Sequence, residues 1–311
     1  MRRILILALL AVCCAGCGQP PESESTEARK EPVVVYAAFE DDAALVDAAE
    51  RYTEKTGVLV IVRRGAATGI VDDVIKNKIS PPADMLVTRS VVDAWRAADE
   101  SALRPLFSEP AREYVPAWAR DPDDLWFGTK VRSAVIVHNL AGLHADDVPD
   151  VGALADPKFS GMVCLSSSAI SVNRTVIATM VSELGVRPAE LVVRGWIKNL
   201  AAPPFDDEAQ LIRAIESGAC GIGIVSNTAL DIATKDLEAI VPATWYADVE
   251  AVGIARHARN PDGATKLVEW LLADSEFTEA VGDPSGNLEN VSVVAWHYED
   301  AVKLAERARY D

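Results

Sequence analysis

Three consecutive serines, Ser166-Ser167-Ser168, stand at the end of an apolar run, just ahead of a helical stretch that opens with Asn173 and Arg174. A strand end facing a helix N-terminus suits an anion, because unpaired N–H groups and the helix dipole converge there. Arg89 lies beyond another apolar run and Arg132 precedes a third. Guanidinium groups grip carboxylate or phosphate in bidentate fashion, so these residues together predict a place for an oxyanion or a small organic acid. A humbler role competes: serines that cap a helix and arginines that pair with surface acids. Glu40 and Asp41 offer oxygen donors to a hard cation, or else, with Asp42, they stabilise the positive end of a helix. His138, His144, His257 and His297 are scattered, without metal-ligand spacing. No nucleophile–base–acid set and no phosphate loop occurs, and Gly221-Ile222-Gly223 lacks the third glycine of a dinucleotide fingerprint and starts a strand. The pattern argues for binding and against catalysis.

Alternating strands and helices must position these groups. Val33–Ala37 reads as a buried strand, followed by a helix over Asp42–Thr56 that Gly57 ends. Val58–Val62 and Met85–Val87 read as strands flanking a helix over Thr68–Asn77. This strand–helix–strand–helix–strand order predicts a parallel α/β sheet. A second series begins after Arg132. It has strands at Ala134–Val137, Met162–Leu165, Gly221–Val225 and Glu250–Ala255. Its helices fall at Ser171–Leu184, Pro188–Asn199, Asp207–Ser217, Pro261–Ala273 and Asp300–Arg309. Two series predict two lobes, and ligands favour the crevice between domains. A chain of 311 residues, half of them apolar, has room for two cores of ordinary size.

The first residues read as a targeting signal. Arg2 and Arg3 precede the apolar run Ile4–Val12, which is too short to span a bilayer, and small residues lead to Cys17. Ala15-Gly16-Cys17 is similar to a lipobox, with Cys14 departing from the usual leucine; residues 1–16 are then the signal peptide and Cys17 the lipidated residue. Residues 17–31, polar and Glu/Ser-rich, read as a flexible tether. Ordinary cleavage without a lipid is the competing outcome. The net charge of −17 becomes −19 once Arg2 and Arg3 leave with the signal. Such a surface repels nucleic acid and attracts cations, or simply aids solubility. Outside the signal only Cys164 and Cys220 remain. In an oxidising compartment they are expected to form one disulfide, against the alternative of two buried thiols.

Several strings resemble the iron(III)-binding family of periplasmic solute-binding proteins of bacterial ABC importers. They are Glu54-Lys55-Thr56-Gly57-Val58, Pro82-Ala83-Asp84-Met85, Asp156-Pro157-Lys158-Phe159-Ser160-Gly161 and Cys164-Leu165-Ser166-Ser167-Ser168. Ile215-Glu216-Ser217-Gly218-Ala219-Cys220-Gly221 and His257-Ala258-Arg259-Asn260 complete the set, in family order, across residues 33 to about 275. The resemblance implies a type II periplasmic-binding fold: two hinged lobes, each a mainly parallel sheet flanked by helices. Lobe 1 would hold residues 32–132 plus about 240–285, and lobe 2 residues 133–239 plus the C-terminal helices at about 286–311. It implies a ligand caught in the interlobe cleft, possession of a cysteine pair, delivery to an inner-membrane ABC permease, and a periplasmic or cell-surface location anchored through Cys17.

The resemblance fails at the metal ligands. Relatives place two adjacent tyrosines where this chain has Thr228 and Ala229, after Val225-Ser226-Asn227, and a third where Val172 stands. Their His and Tyr or Asp after the first strand align with Glu40 and Asp41. Arg132 falls where relatives hold a synergistic anion. The expected ligand set is therefore Glu40, Asp41, Arg89, Arg132, Ser166, Ser167, Ser168, Asn173, Arg174, Ser226, Asn227 and Thr228, taking ferric ion with a synergistic anion or, alternatively, an oxyanion or organic acid. A further alternative is a sensor-like lipoprotein that kept the fold without transport.

Overall fold

The run Val33-Val34-Val35-Tyr36-Ala37 is buried along its whole length as strand β1 (Val33–Ala37), in a computed structural model that describes residues 30–39, 43–77, 80, 82–233, 237–278 and 290–310. Glu40, Asp41, Cys17, the signal and most of the tether lie outside the described residues. β1 pairs in parallel with β2 (Val60–Arg64) and β3 (Met85–Thr88). Helices α1 (Ala43–Thr56) and α2 (Ala67–Ile75) make the crossovers. A strand covered on both faces must be apolar throughout, which is why β1 does not alternate. β2 is the sheet edge, and it ends on the exposed Arg63 and Arg64, charges that discourage edge-to-edge pairing. α1 buries Leu45, Ala48, Ala49 and Tyr52. Gly57 closes it at φ +68°, a left-handed turn that a side chain would strain.

Two of the recognised strings meet at one buried carboxylate. Asp84 accepts the Val34 N–H at 2.8 Å, the Arg259 N–H at 2.7 Å and the Asn260 N–H at 2.8 Å. It thus ties β1 to the loop before α8 (Pro261–Ala273). Asn260 caps α8 through the Gly263 N–H, and Pro261 occupies the first helical position, where its missing N–H costs nothing.

The chain continues through α3 (Val91–Asp99), β4 (Leu103–Arg104), α4 (Glu109–Tyr114) and β5 (Phe127–His138). Then come β6 (Val163–Cys164), α5 (Ser171–Leu184), α6 (Val186–Lys198), α7 (Glu208–Glu216) and β7 (Ile222–Ser226). β8 (Glu238–Ile240), β9 (Ala247–Ala255), α8, α9 (Ser292–Trp296) and α10 (Tyr298–Ala308) complete it. Strand order is β2-β1-β3-β9-β5-β7-β6, with β4 on β9 and β8 on β5.

β5 is the shared strand. Its first part pairs with β9 as far as Ser133↔Ala247, and from Ala134↔Ser226 onward it pairs with β7. The expectation of mainly parallel sheets is corrected here. β1, β2 and β3 are parallel, as are β6 and β7, but every pairing of β5 and β9 is antiparallel. The long strands that lead into and out of the second series run against their neighbours, so the sheet is mixed. Cys164 and Cys220 are bonded, with Cα atoms 5.9 Å apart. Beside them Gly223 lets β6 approach β7, since a Cβ there would stand 2.6 Å from the Cys164 carbonyl. That close approach accounts for a glycine no nucleotide needs. α10 packs on α5 and α6, where Arg307 and Arg194 both bind Glu190 and hold its carboxyl below the usual range.

Candidate functional site

Where β5 and β9 run side by side, Arg132 stands opposite Asp248 in the ladder. Asp248 is buried, and its carboxylate gathers three donors. Oδ1 accepts the Val91 N–H at the start of α3 and its own neighbour's Val249 N–H, each at 2.8 Å, and Oδ2 accepts the Ser171 hydroxyl at the start of α5, also at 2.8 Å. A carboxylate at two helix N-termini is stabilised by both dipoles. Arg132 donates through Nη2 to the Arg89 carbonyl, and its Nε is buried without a protein partner. The Arg89 guanidinium itself lies over the Phe39 ring, 4.8 Å from its centre.

The end of β7 supplies the facing wall. The Ser226 N–H donates to Glu208 Oε1 and the Ser226 hydroxyl to Oε2 at 3.1 Å, so Glu208, first residue of α7, is held by two donors. Thr228 Oγ1 lies 3.2 Å from Ser226 Oγ. Asn227 Oδ1 accepts the Ser133 N–H at 2.9 Å and so fastens β5 where it changes partners.

Between these walls is a cavity of about 170 Å³. Arg132 and Ser226, two of the expected ligand residues, line it; Ile170, Ser171, Val172 and Thr175 close it from the start of α5, and Glu208, Asp248 and Tyr246 complete it. Val172, which the resemblance aligns with a tyrosine, is a wall residue, whereas Ala229 is buried and Thr228 exposed. Tyr246 is the phenol at the cavity. Burial, followed by its hydrogen bond to Asp150, raises its pKa far above the ordinary tyrosine value. Its hydroxyl is thus engaged with Asp150. Arg132 is the cationic side chain among the described residues that line the space.

The serine loop lies elsewhere. Asn173 Nδ2 donates to the Ser166 carbonyl at 3.1 Å, the Ser166 hydroxyl at 2.9 Å and the Ser167 carbonyl at 3.0 Å. The Ser166 carbonyl also accepts the Tyr310 hydroxyl at 2.8 Å, and Ser167 Oγ accepts the Ala169 N–H. Arg174 reaches Ser168 Oγ at 3.4 Å. Ser166, Ser167, Ser168, Asn173, Arg174 and Arg89 are not among the cavity's lining residues. Sequence reading missed Asp248, Glu208, Ser171, Thr175 and Tyr246. Asp248 becomes visible only through the β5–β9 ladder, Tyr246 stands just ahead of β9, and Glu208 looked like one more acid at a helix start. Among the described residues no group of three His, Cys, Asp or Glu side chains could hold a metal ion.

A mixed sheet sharing one long strand between two halves, with a small polar cavity at the crossing, defines a type II periplasmic-binding fold. The chain belongs to the bacterial extracellular solute-binding proteins, whose family profile matches residues 33–277. It is 26% identical over 279 residues to iron uptake protein A1 of Synechocystis, covering 84% of this chain and 77% of that one. Its fold matches a Trichodesmium protein in complex with iron and citrate ligands, at a TM-score of 0.80 and 24% identity, over 90% of this chain and 100% of that one. The apo ferric ion-binding protein A of Pasteurella haemolytica matches at 0.77 and 25% identity, over 90% of this chain and 98% of that one.

Proposed function

We propose that this chain is the extracytoplasmic receptor of an ABC importer and that its cargo is a small organic acid, gripped by Arg132 in the cavity at the β5–β9 crossing. One observation carries this reading: Arg132, the cation of that cavity, holds a buried Nε donor that no protein acceptor satisfies. Buried donors are expensive to leave unpaired, so a ligand oxygen there is strongly favoured. The absence of phenols at Val172, Thr228 and Ala229 supports an acid over a bare ferric ion.

The lobes of this reading are residues 32–132 plus about 240–285, and 133–239 plus about 286–311, closing about β5 and β9. The change of partner at Ser133 and Ala134 and the packing of α10 on α5 and α6 support that division. Cys17 would carry the lipid, residues 17–31 the tether, and an inner-membrane permease would receive the cargo. Capture is then a hinge closure over the ligand. The relatives' iron-related names, with Glu208 and Asp248 as hard oxygen donors at the cavity, favour a second reading in which the acid arrives as a ferric chelate.

Native mass spectrometry of freshly purified protein tests this. The expected result is a retained small acid, absent from Arg132→Ala, with iron, if present, leaving together with the acid. Equal retention by both proteins would overturn the assignment of Arg132.

A further inference from the structure

The Arg132 cavity carries both signs of charge, and this narrows its cargo. Glu208 and Asp248 face the same space as Arg132. Each Glu208 oxygen accepts one bond from Ser226, which leaves acceptor capacity on both. Asp248 Oδ2 accepts only the Ser171 hydroxyl among described donors, while Oδ1 is filled by Val91 and Val249. The space thus offers a guanidinium donor from Arg132 and carboxylate acceptors from Glu208 and Asp248. A ligand bearing two carboxylates would place one of them against Glu208 or Asp248, and like charges at such range repel strongly in a partly dry site. The volume of about 170 Å³ is below that of ordinary drug-sized pockets and admits only a few heavy atoms. Ile170 and Val172 supply a small apolar wall.

The geometry points to a zwitterion: a small amino acid whose carboxylate meets Arg132 and whose ammonium meets Glu208, with Asp248 as the second counter-charge. This rests on the reading of Arg132 as the carboxylate clamp and adds the selecting residue, Glu208.

Isothermal titration of the full mature chain with L-alanine, propionate and succinate tests it, because propionate is alanine without the ammonium. The expected result is that alanine binds at least ~10-fold tighter than propionate, a difference that one charge-assisted bond supplies, and that succinate is weakest. Glu208→Gln keeps an acceptor for the Ser226 N–H. It should abolish the preference for alanine by weakening alanine, and with one negative charge gone propionate should bind no more weakly than to wild type, with an unaltered melting curve as the check on folding. Propionate or succinate binding as well as alanine would overturn the zwitterion but leave the Arg132 clamp standing. So would an alanine preference that survives Glu208→Gln. No binding of any of the three to wild type would overturn both.

Discussion

Two polar regions begin α5, one on each side of its first turn, and they behave in opposite ways. The serine loop is rich in donors and acceptors; Asn173 and Tyr310 satisfy its carbonyls from within, while Arg174 keeps Nε and Nη1 buried without a partner and is not among the residues that line the cavity. The β5–β9 crossing is as rich in polar groups, and there Arg132 keeps an orphan donor over a cavity. An open donor therefore marks a candidate site where it borders a cavity, as Arg132 does and Arg174 does not. Where hydrogen bonds close on themselves, polar residues are scaffold.

Four substitutions set the two regions against each other. Asn173→Ala should cost the most stability, about 2–3 kcal/mol in denaturant unfolding, because it strips three bonds that tie the start of α5 to the Ser166–Ser167 turn. If ligand affinity fell while stability held, the scaffold role would be wrong. Arg132→Ala should do the reverse: affinity for the retained acid weakens about 10- to 100-fold, or ~1.4–2.7 kcal/mol, with stability changed by under about 1 kcal/mol. Ser171→Ala removes one donor from a buried carboxylate and should cost about 1 kcal/mol in unfolding. No change would show that the Val91 and Val249 N–H groups suffice for Asp248.

The smallest effect concerns pH. Tyr246 has its folded pKa raised, chiefly by burial and then by Asp150, above its unfolded value of 10.0. Its contribution is fully present below that value and is lost as pH rises past about 10, where the unfolded chain ionises and the folded one does not. Melting curves against pH should fall less steeply there for Tyr246→Phe than for wild type. Parallel slopes would remove Tyr246 from the alkaline limb.

Much of the fold is legible in the sequence, for reasons particular residues show. The long apolar run of β1, Gly57 after α1, and Pro261 at the head of α8 are local signals, and each stands where it was expected. α3 escaped because its buried face is Val91, Ala94 and Ala97, side chains too small to stand out as a stripe. The first part of β5 escaped because Gly128, Lys130 and Arg132 interrupt its apolar pattern. The site is less legible. Arg132 and Ser226 carry local or family signals, whereas Asp248 and Glu208 join the cavity through pairings over long sequence distances. The family strings turn out to mark structure: Asp84 binds two of them together, and Asn173 secures a third.

A ferric titration followed by visible absorption tests the central claim most directly, namely that the cavity holds cargo through Arg132 and supplies no phenolate. The account predicts no tyrosinate charge-transfer band when ferric ion is added alone, since Val172, Thr228 and Ala229, the positions that the resemblance aligns with tyrosines, carry no phenol and the Tyr246 hydroxyl is engaged with Asp150. A strong band at one iron per chain, unchanged in Arg132→Ala, would contradict it.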